Sequence, residues 1–193
     1  MSPRRLPASF YRRPALEVAR DLLGRTLCRK LEGGTVLRGR LVEVEAYDGP
    51  ADRASHAFRG VTKRNRWMFE AGGLVYVYLV YGMHHCLNIV TGEAGHPAAI
   101  LLRAAEPPGA SSASGPGRLT RAFQVDRAQD GSSFLSGPLW IEAGEPVPDR
   151  AVRRTPRIGV DYAGPWASRR YRFIIAGHPI VTRSRMSPSG TGM

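Results

Sequence analysis

The sequence is short of cysteine, of lysine and of long apolar runs. Its two cysteines, Cys28 and Cys86, are too few for a disulfide framework, so a reducing compartment is expected. No apolar run approaches the ~20 residues that a membrane-spanning helix needs. The opening segment MSPRRLPASFYRR is basic but has no apolar stretch behind it, which does not fit a secretory signal and makes the cytoplasm the expected location. A glycine-rich phosphate loop, a nucleophile elbow and a dinucleotide fingerprint are also missing. His84, His85 and Cys86 are adjacent and so point in divergent directions, and no second pair stands at ligand spacing. Neither a metal nor an organic cofactor is therefore expected.

What the chain has in excess is arginine. Lysine and arginine total 28 against 16 acids, and only Lys30 and Lys63 are lysine. The net charge of +12 is spread from end to end rather than gathered in a tail. A guanidinium binds phosphate in a bidentate fork and stacks on bases. Nucleic acid is thus the first partner to consider and an anionic membrane surface the second, against the plainer reading of a proteome rich in arginine throughout.

With 193 residues and 42% hydrophobic content, the chain suits one globular domain with a substantial core. PALEVARDLLG predicts a short helix from Pro14 to Gly24, with Ala15, Val18, Ala19 and Leu22 on one face. TLCRKL and the segment ending in LVEVEAY predict two strands joined across Gly33 and Gly34. Residues 48 to 63 read as a polar loop and Arg64 to Glu70 as one helical turn or two. A hairpin is expected near Gly73–Tyr81 and His85–Thr91, then a strand from Ala98 to Glu106. Pro107 to Gly117 reads as a soft, mobile loop. GRLTRAF could start a helix, and PLWIEA, RIGV and YRFIIAG are later strand candidates. No repeat or linker divides the chain. The expectation is an α+β fold: one domain over residues 10–183, between flexible tails at 1–9 and 184–193.

Two stretches carry candidate chemistry. In LVEVEAY, alternation puts Glu43, Glu45 and Tyr47 on one strand face and Val42, Val44 and Ala46 on the other. The carboxylates read either as solvated or paired with nearby Arg38 and Arg40, or as acids kept for use close to a surface that binds phosphate. In VYVYLVYGMHHCLNIV, Tyr76 and Tyr78 share a strand face, as core packing or as a base platform. Tyr81 adjoins the turn Gly82–Met83, where burial is hardest. An aromatic exposed there in a basic protein could wedge between base pairs.

The segments RGRLVEVEAYDGPADRASHA, RNRWMF, GGLVYVYLVYGMHHCLNIV, AAILLRAAEP, SGPGRLTRAF and PRIGVDYAGPWASRRYRF together resemble the alkyladenine DNA glycosylase family, the monofunctional 3-methyladenine or methylpurine glycosylases. They stand in the family's order and cover most of residues 10 to 182. The resemblance implies a mixed, mostly antiparallel curved sheet with short helices and a protruding, DNA-intercalating β-hairpin. It implies Glu45 as the residue that activates the attacking water and Arg103 as the arginine that helps hold that water. Tyr47, His56 and Tyr78 match the residues that sandwich and hydrogen-bond an extruded base, and Asn88 matches the asparagine that crowds out the extra amino group of guanine. Ile158 matches a position whose main chain contacts the base. Tyr81 matches the tyrosine that fills the gap left in the duplex. One departure is plain: where the family carries a longer, partly helical insert, only PPGASSASG intervenes.

The activity so implied is removal of 3-methyladenine, hypoxanthine or ethenoadenine from double-stranded DNA containing a damaged purine, opening base excision repair, with no membrane role. A monomer is expected, because no amphipathic surface helix suggests a dimer seam. Opposite charge from Arg103 is expected to lower the pKa of Glu45. With neither lysine in a pocket motif, no Schiff-base lyase step is expected. Two other readings are a non-enzymatic minor-groove or damage-sensing module that inserts Tyr81, and an RNA-binding domain that stacks bases on Tyr76 and Tyr78.

Overall fold

The computed structural model describes residues 4–106 and 113–182. In chain order they form α1 (Ala8–Tyr11), α2 (Ala15–Leu22), β1 (Thr26–Lys30), β2 (Val36–Asp48), β3 (Val75–Val80), β4 (His84–Val90), β5 (Ala98–Glu106), β6 (Ala113–Ser114), α3 (Pro116–Ala122), β7 (Leu139–Glu142), β8 (Val152–Thr155) and β9 (Arg172–Ile175), with short 3-10 turns between. The nine strands make one sheet, in the order β3-β4-β5-β2-β1-β7. β6 adds to β5, β9 adds to β2 and β8 adds to β9. Every pairing between these strands is antiparallel, and few, short helices pack on the sheet, so the expected α+β architecture holds.

β2 is the spine because its 13 residues are long enough to serve three neighbours. Its first part pairs with β1, its middle with β9, and β5 runs along the other edge to its end. One face of the sheet is the main core. Val42, Val44, Val75, Val77, Leu87, Ile89, Ile100 and Leu102 are fully buried there, each contributing about 2 kcal/mol of transfer free energy. α2 covers part of this face with Ala15, Val18, Ala19 and Leu22, the face its sequence predicts. Gly24 ends it with φ +83, where a Cβ would lie 2.4 Å from the Glu145 carbonyl oxygen, so only glycine fits.

The sequence misplaces one strand. RIGV, Arg157 to Val160, is irregular, and the pairing strand is β8, just upstream. Pro156 has no N–H and stops the ladder. The next two residues spend their polar groups elsewhere: Arg157 on a buried carboxylate, and the Ile158 N–H on Glu45. The polar loop of residues 48 to 63 contains a 3-10 turn, His56–Arg59, capped by the Ser55 hydroxyl, which accepts from the Ala57 N–H. Of the expected mobile loop, residues 107–112 lie outside the described residues, whereas Ala113–Ser114 pair with β5 and Pro116 opens α3. Residues 1–3 and 183–193 of the expected tails also lie outside them. Arg5 donates to the carbonyls of Phe134, Gly137 and Leu139.

The hairpin β3–β4 projects from one end of the sheet. The outer edge of β3 would offer unpaired main-chain groups at its base, and these are covered. The Asp130 carboxylate accepts the Val77 N–H at 2.8 Å and the Trp67 indole N–H at 3.2 Å. Arg127 donates to the Val77 carbonyl, and Leu74 bridges to Ser133.

Candidate active site

A single lateral row crosses five strands. Tyr76 on β3 pairs with Asn88 on β4, Asn88 with Leu101 on β5, Leu101 with Glu45 on β2, and Glu45 with Arg172 on β9. Cross-strand partners project to the same side of a sheet. Two residues along each strand, Tyr78, Cys86, Ala99 and Tyr47 join that side. The face opposite the apolar core is therefore aromatic and charged, although its residues come from distant parts of the chain.

The pairing of β2 with β5 is locally irregular. Leu41 pairs with Ala105 and Val44 with Leu102, but between them Glu43 pairs with Ala104. Val42 and Arg103 are thus each left without a partner in this ladder, a pair of compensating bulges. Bulges bend a strand and re-aim its side chains. Here the Arg103 guanidinium reaches two carboxylates: Nε donates to Glu43 Oε1 at 2.8 Å and Nη1 to Glu45 Oε2 at 3.3 Å.

Glu43 and Glu45 are both fully buried. Neither is solvated, and neither pairs with Arg38 or Arg40, as the sequence allowed. Glu45 Oε2 also accepts from the Tyr47 hydroxyl at 3.0 Å, and Oε1 from the Ile158 N–H at 2.8 Å. Glu43 Oε1 accepts a second arginine, Arg172 Nε, at 2.8 Å, and its Oε2 accepts the Thr182 N–H at 2.6 Å.

Burial pushes the Glu45 carboxyl above the usual carboxylate range. Arg103, the Ile158 N–H and the Tyr47 hydroxyl pull it down, and the nearby negative charge of Glu43 pushes it further up. The expected lowering by Arg103 is present but loses to desolvation, so the net direction is the reverse of the expectation. Tyr47 is itself raised, first by burial and then by Glu45, and remains a hydroxyl donor.

A cavity of about 470 Å³ opens on this face, lined by Tyr47, His56, Tyr78, Asn88, Arg103 and Ile158, within the size range of small-molecule sites. Tyr81 also borders it. Of the residues the sequence singled out, these seven meet around one space. Glu45 lies just behind the lining, bonded to Tyr47 and Arg103.

The side chains of the lining are held by second partners. Tyr78 packs edge-on to His56 with centroids 4.5 Å apart. His56 is exposed as a residue and borders both this cavity and a neighbouring concavity, while Tyr76 and Tyr78 pack edge-on against its ring. Burial of the ring, followed by the charge of Arg64, lowers the imidazole to about 4. His56 Nδ1 lies 2.9 Å from the Tyr76 hydroxyl. The positive charge of Arg64 also acts on that hydroxyl, against the burial that raises it. Asn88 Nδ2 donates to the carbonyls of Tyr76 at 3.1 Å and Cys86 at 3.3 Å, which fixes its rotamer.

Several contributors have no local signature in the sequence. Arg157 forms a bidentate pair with Asp52 at 2.5 and 2.8 Å, and both side chains are fully buried. Its guanidinium lies 4.7 Å from the centroid of the Tyr47 ring. Arg64 sits 5.1 Å from the Tyr78 centroid and donates to the Leu79 carbonyl. These partners lie far apart in sequence, so no spacing pattern could reveal them.

At the hairpin tip, Tyr81 is 89% exposed and Met83 70% exposed. Tyr81 has φ +50 and Gly82 φ +68, the paired positive angles of a type I′ turn. A tyrosine in that region is strained. A large apolar residue that is both strained and exposed contributes little to folding, which points to a role outside it. Beside the cavity, a second concavity of about 680 Å³ shares His56, Arg64 and Tyr162 with it and adds Arg53 and Arg59.

Among the described residues, no group of three or more His, Cys, Asp or Glu side chains is arranged to hold a metal ion. No described helix is long and apolar enough to cross a membrane.

Comparison with known proteins points in one direction. Residues 9–179 match the family model described as Methylpurine-DNA glycosylase. A relative from Myxococcus xanthus is 51% identical over 182 residues, covering 92% of this chain and 93% of its own length. One from Methanocella arvoryzae is 48% identical over 194 residues, covering 92% and 96%. A third, from Legionella pneumophila, is 40% identical over 183 residues, covering 94% and 100%. Each bears the name "Putative 3-methyladenine DNA glycosylase".

Proposed function

We propose, from the premise that this chain belongs to the methylpurine-DNA glycosylase family, that it is a monofunctional DNA-3-methyladenine glycosylase acting on alkylated and deaminated purines in duplex DNA. The observation that carries this reading is a buried carboxylate, Glu45, held above its ordinary pKa directly behind a cavity walled by tyrosines and histidine.

A purine stacked in a duplex cannot present its glycosidic bond to that carboxylate. It has to be extruded, at a cost of roughly a few kcal/mol. Tyr81 at the strained tip offsets the cost by filling the void between neighbouring pairs. Arg53, Arg59 and Arg64 around the second concavity supply positive charge for the displaced backbone. The extruded base enters between Tyr47 and Tyr78, whose π faces attract the positive charge of an alkylated purine. The His56 ring and the main chain at Ile158 address the edge of the base. Asn88, clamped by two carbonyls, cannot swing aside for an extra exocyclic amino group.

Hydrolysis follows from the placement of Glu45. Its carboxylate takes a proton from water as that water attacks the anomeric carbon, while the glycosidic electron pair leaves with the base. The same negative charge stabilises oxocarbenium character on the sugar. Arg103 and Tyr47 fix the carboxylate, and Arg103 helps to hold the water. Because Glu45 is enclosed in the free protein, the entering nucleotide has to carry the reacting carbon to it and admit one water beside it. Among the described residues no lysine lines the cavity, so the abasic product is left uncut.

The test uses end-labelled duplexes with a single hypoxanthine, ethenoadenine or unmodified adenine, treated with hot alkali after incubation. Cleavage is expected at the lesions only, only after alkali, and lost in Glu45→Gln with binding retained. The rate loss should be on the order of 10²- to 10⁴-fold. Tight lesion binding without base release from any damaged duplex, including one bearing an alkylated purine, would make the protein a damage-sensing module instead.

A further inference from the structure

Glu43 has no part in the scheme above, yet it is a fully buried acid one bond from the arginine that holds Glu45. The two carboxylates compete for a single guanidinium, and the competition is uneven. Arg103 Nε meets Glu43 at 2.8 Å, whereas Nη1 meets Glu45 at 3.3 Å. Glu43 Oε1 is also the acceptor for Arg172 Nε, and its Oε2 is anchored by the Thr182 N–H. Arg172 is fastened in turn to the Thr155 hydroxyl and the Thr182 carbonyl. The row of buried charges therefore runs Arg172, Glu43, Arg103, Glu45, and its anchored end is the one away from the cavity.

We propose that Glu43 is a positioning residue that holds the Arg103 guanidinium toward itself, so that Glu45 keeps the orientation an arginine gives without being neutralised by a close ion pair. The idea rests on the glycosylase reading of Glu45. A carboxylate in a tight, unshared pair with arginine is a poor proton acceptor, whereas one with no cation behind it is neither oriented nor readily ionised when buried. Sharing the cation with a second, better anchored acid lies between these limits. The compensating bulges make the sharing possible, because Arg103 stands where a single guanidinium spans both acids.

Glu45 is faced by Tyr47 and Glu43 from β2, Arg103 from β5, Tyr78 and Cys86 from the hairpin, Arg157 from the segment after β8, and Arg172 from β9. Of these, Glu43, Arg157 and Arg172 lie outside the cavity lining. Arg157 is taken up by Asp52, whereas Glu43, directly as a like charge and through Arg103, and Arg172, through Glu43, act on Glu45. Changing Glu43 or Arg172 should move its titration in opposite directions. Glu43→Gln frees Arg103 for Glu45, so Glu45 stays ionised to lower pH. Arg172→Gln leaves Glu43 drawing on Arg103 alone, so Glu45 takes up its proton at higher pH.

The experiment is the pH dependence of single-turnover base release from a duplex carrying a cationic alkylated purine. It is run with wild type, Glu43→Gln, Arg172→Gln and the charge-preserving Arg172→Lys, each checked for folding by thermal melting. The acid limb is expected to move down in Glu43→Gln and up in Arg172→Gln, each by about one pH unit, and to stay in place in Arg172→Lys. Glu43→Gln should also lower the plateau rate, because the base is weaker. If Glu43→Gln does not fold, the Arg172 pair decides alone. An acid limb that stays in place in the folded variants, or moves the same way in both Gln variants, overturns the proposal. Absence of base release by wild type at every pH would instead overturn the glycosylase reading beneath it.

Discussion

At the scale of single residues, the site works by keeping polar groups in the protonation state their task needs. His56 is lowered to about 4 chiefly by burial, with Arg64 adding to it, so its ring is neutral throughout the physiological range. Its folded-state value is depressed, so the stability it contributes is present above the ordinary histidine range and lost as pH falls toward 4. An NMR titration of the His56 ring should show no protonation between pH 8 and 5.5, and a midpoint near 6.5 would sink this account. Arg157 makes a different prediction. Arg157→Ala leaves Asp52 buried without its cation and takes away the guanidinium beside Tyr47. A destabilisation of about 3 to 5 kcal/mol is expected, read as a fall in the denaturant midpoint. The double change of Arg157 and Asp52 to apolar residues should recover most of it, and failure to recover would place the loss in the Tyr47 contact.

At the scale of elements, the role proposed for the hairpin sets a cost in folding against a gain on DNA. Tyr81 occupies a backbone region that glycine adopts freely, and its side chain is exposed. Tyr81→Gly should leave the melting temperature unchanged or raise stability by about 1 kcal/mol, while lesion binding and base release fall at least tenfold. A loss of stability would show that the tip packs against the fold. This hairpin was legible in the sequence because two β-rich runs flank a glycine turn. β2 and α2 were legible for the same reason, since strand and helix periodicities are local. RIGV was misread because its apolar residues resemble a strand while its polar groups are claimed by Asp52 and Glu45, partners more than 100 residues away. The buried state of Glu43 and Glu45 was illegible for a related reason. The neighbouring arginines in sequence are Arg38 and Arg40, but the ones that count arrive on β5 and β9. The motif resemblance named the residues of the cavity, and the fold supplied the groups behind them.

At the scale of the whole molecule, positive charge surrounds the site. Among the described residues, Arg53, Arg59, Arg64 and Arg66 form no ion pair, whereas the arginines behind the cavity do. Affinity for duplex DNA should therefore fall steeply with salt, log K against log[salt] having a slope of about −0.9 for each phosphate neutralised. Arg59→Ala should make that slope shallower by about one while leaving the lesion preference unchanged. Base release should be insensitive to chelators, and loss of activity in excess EDTA would contradict a mechanism built from side chains alone.

The bolting of β3 at its base has a mechanical consequence. Asp130, Trp67 and Arg127 fix the strand within a few residues of Tyr81, so on the proposed reading the tip stays extended while the protein travels along undamaged DNA. If Tyr81 enters the duplex as proposed, a fixed tip meets every base step as a small obstacle, and its progress is slowest where stacking gives way most easily. The protein would thus feel the compliance of the duplex before it reads the chemistry of any base. Its sliding along a lesion-free duplex should be slower than that of Tyr81→Gly, by a margin that grows with the number of weakly stacked steps in the track.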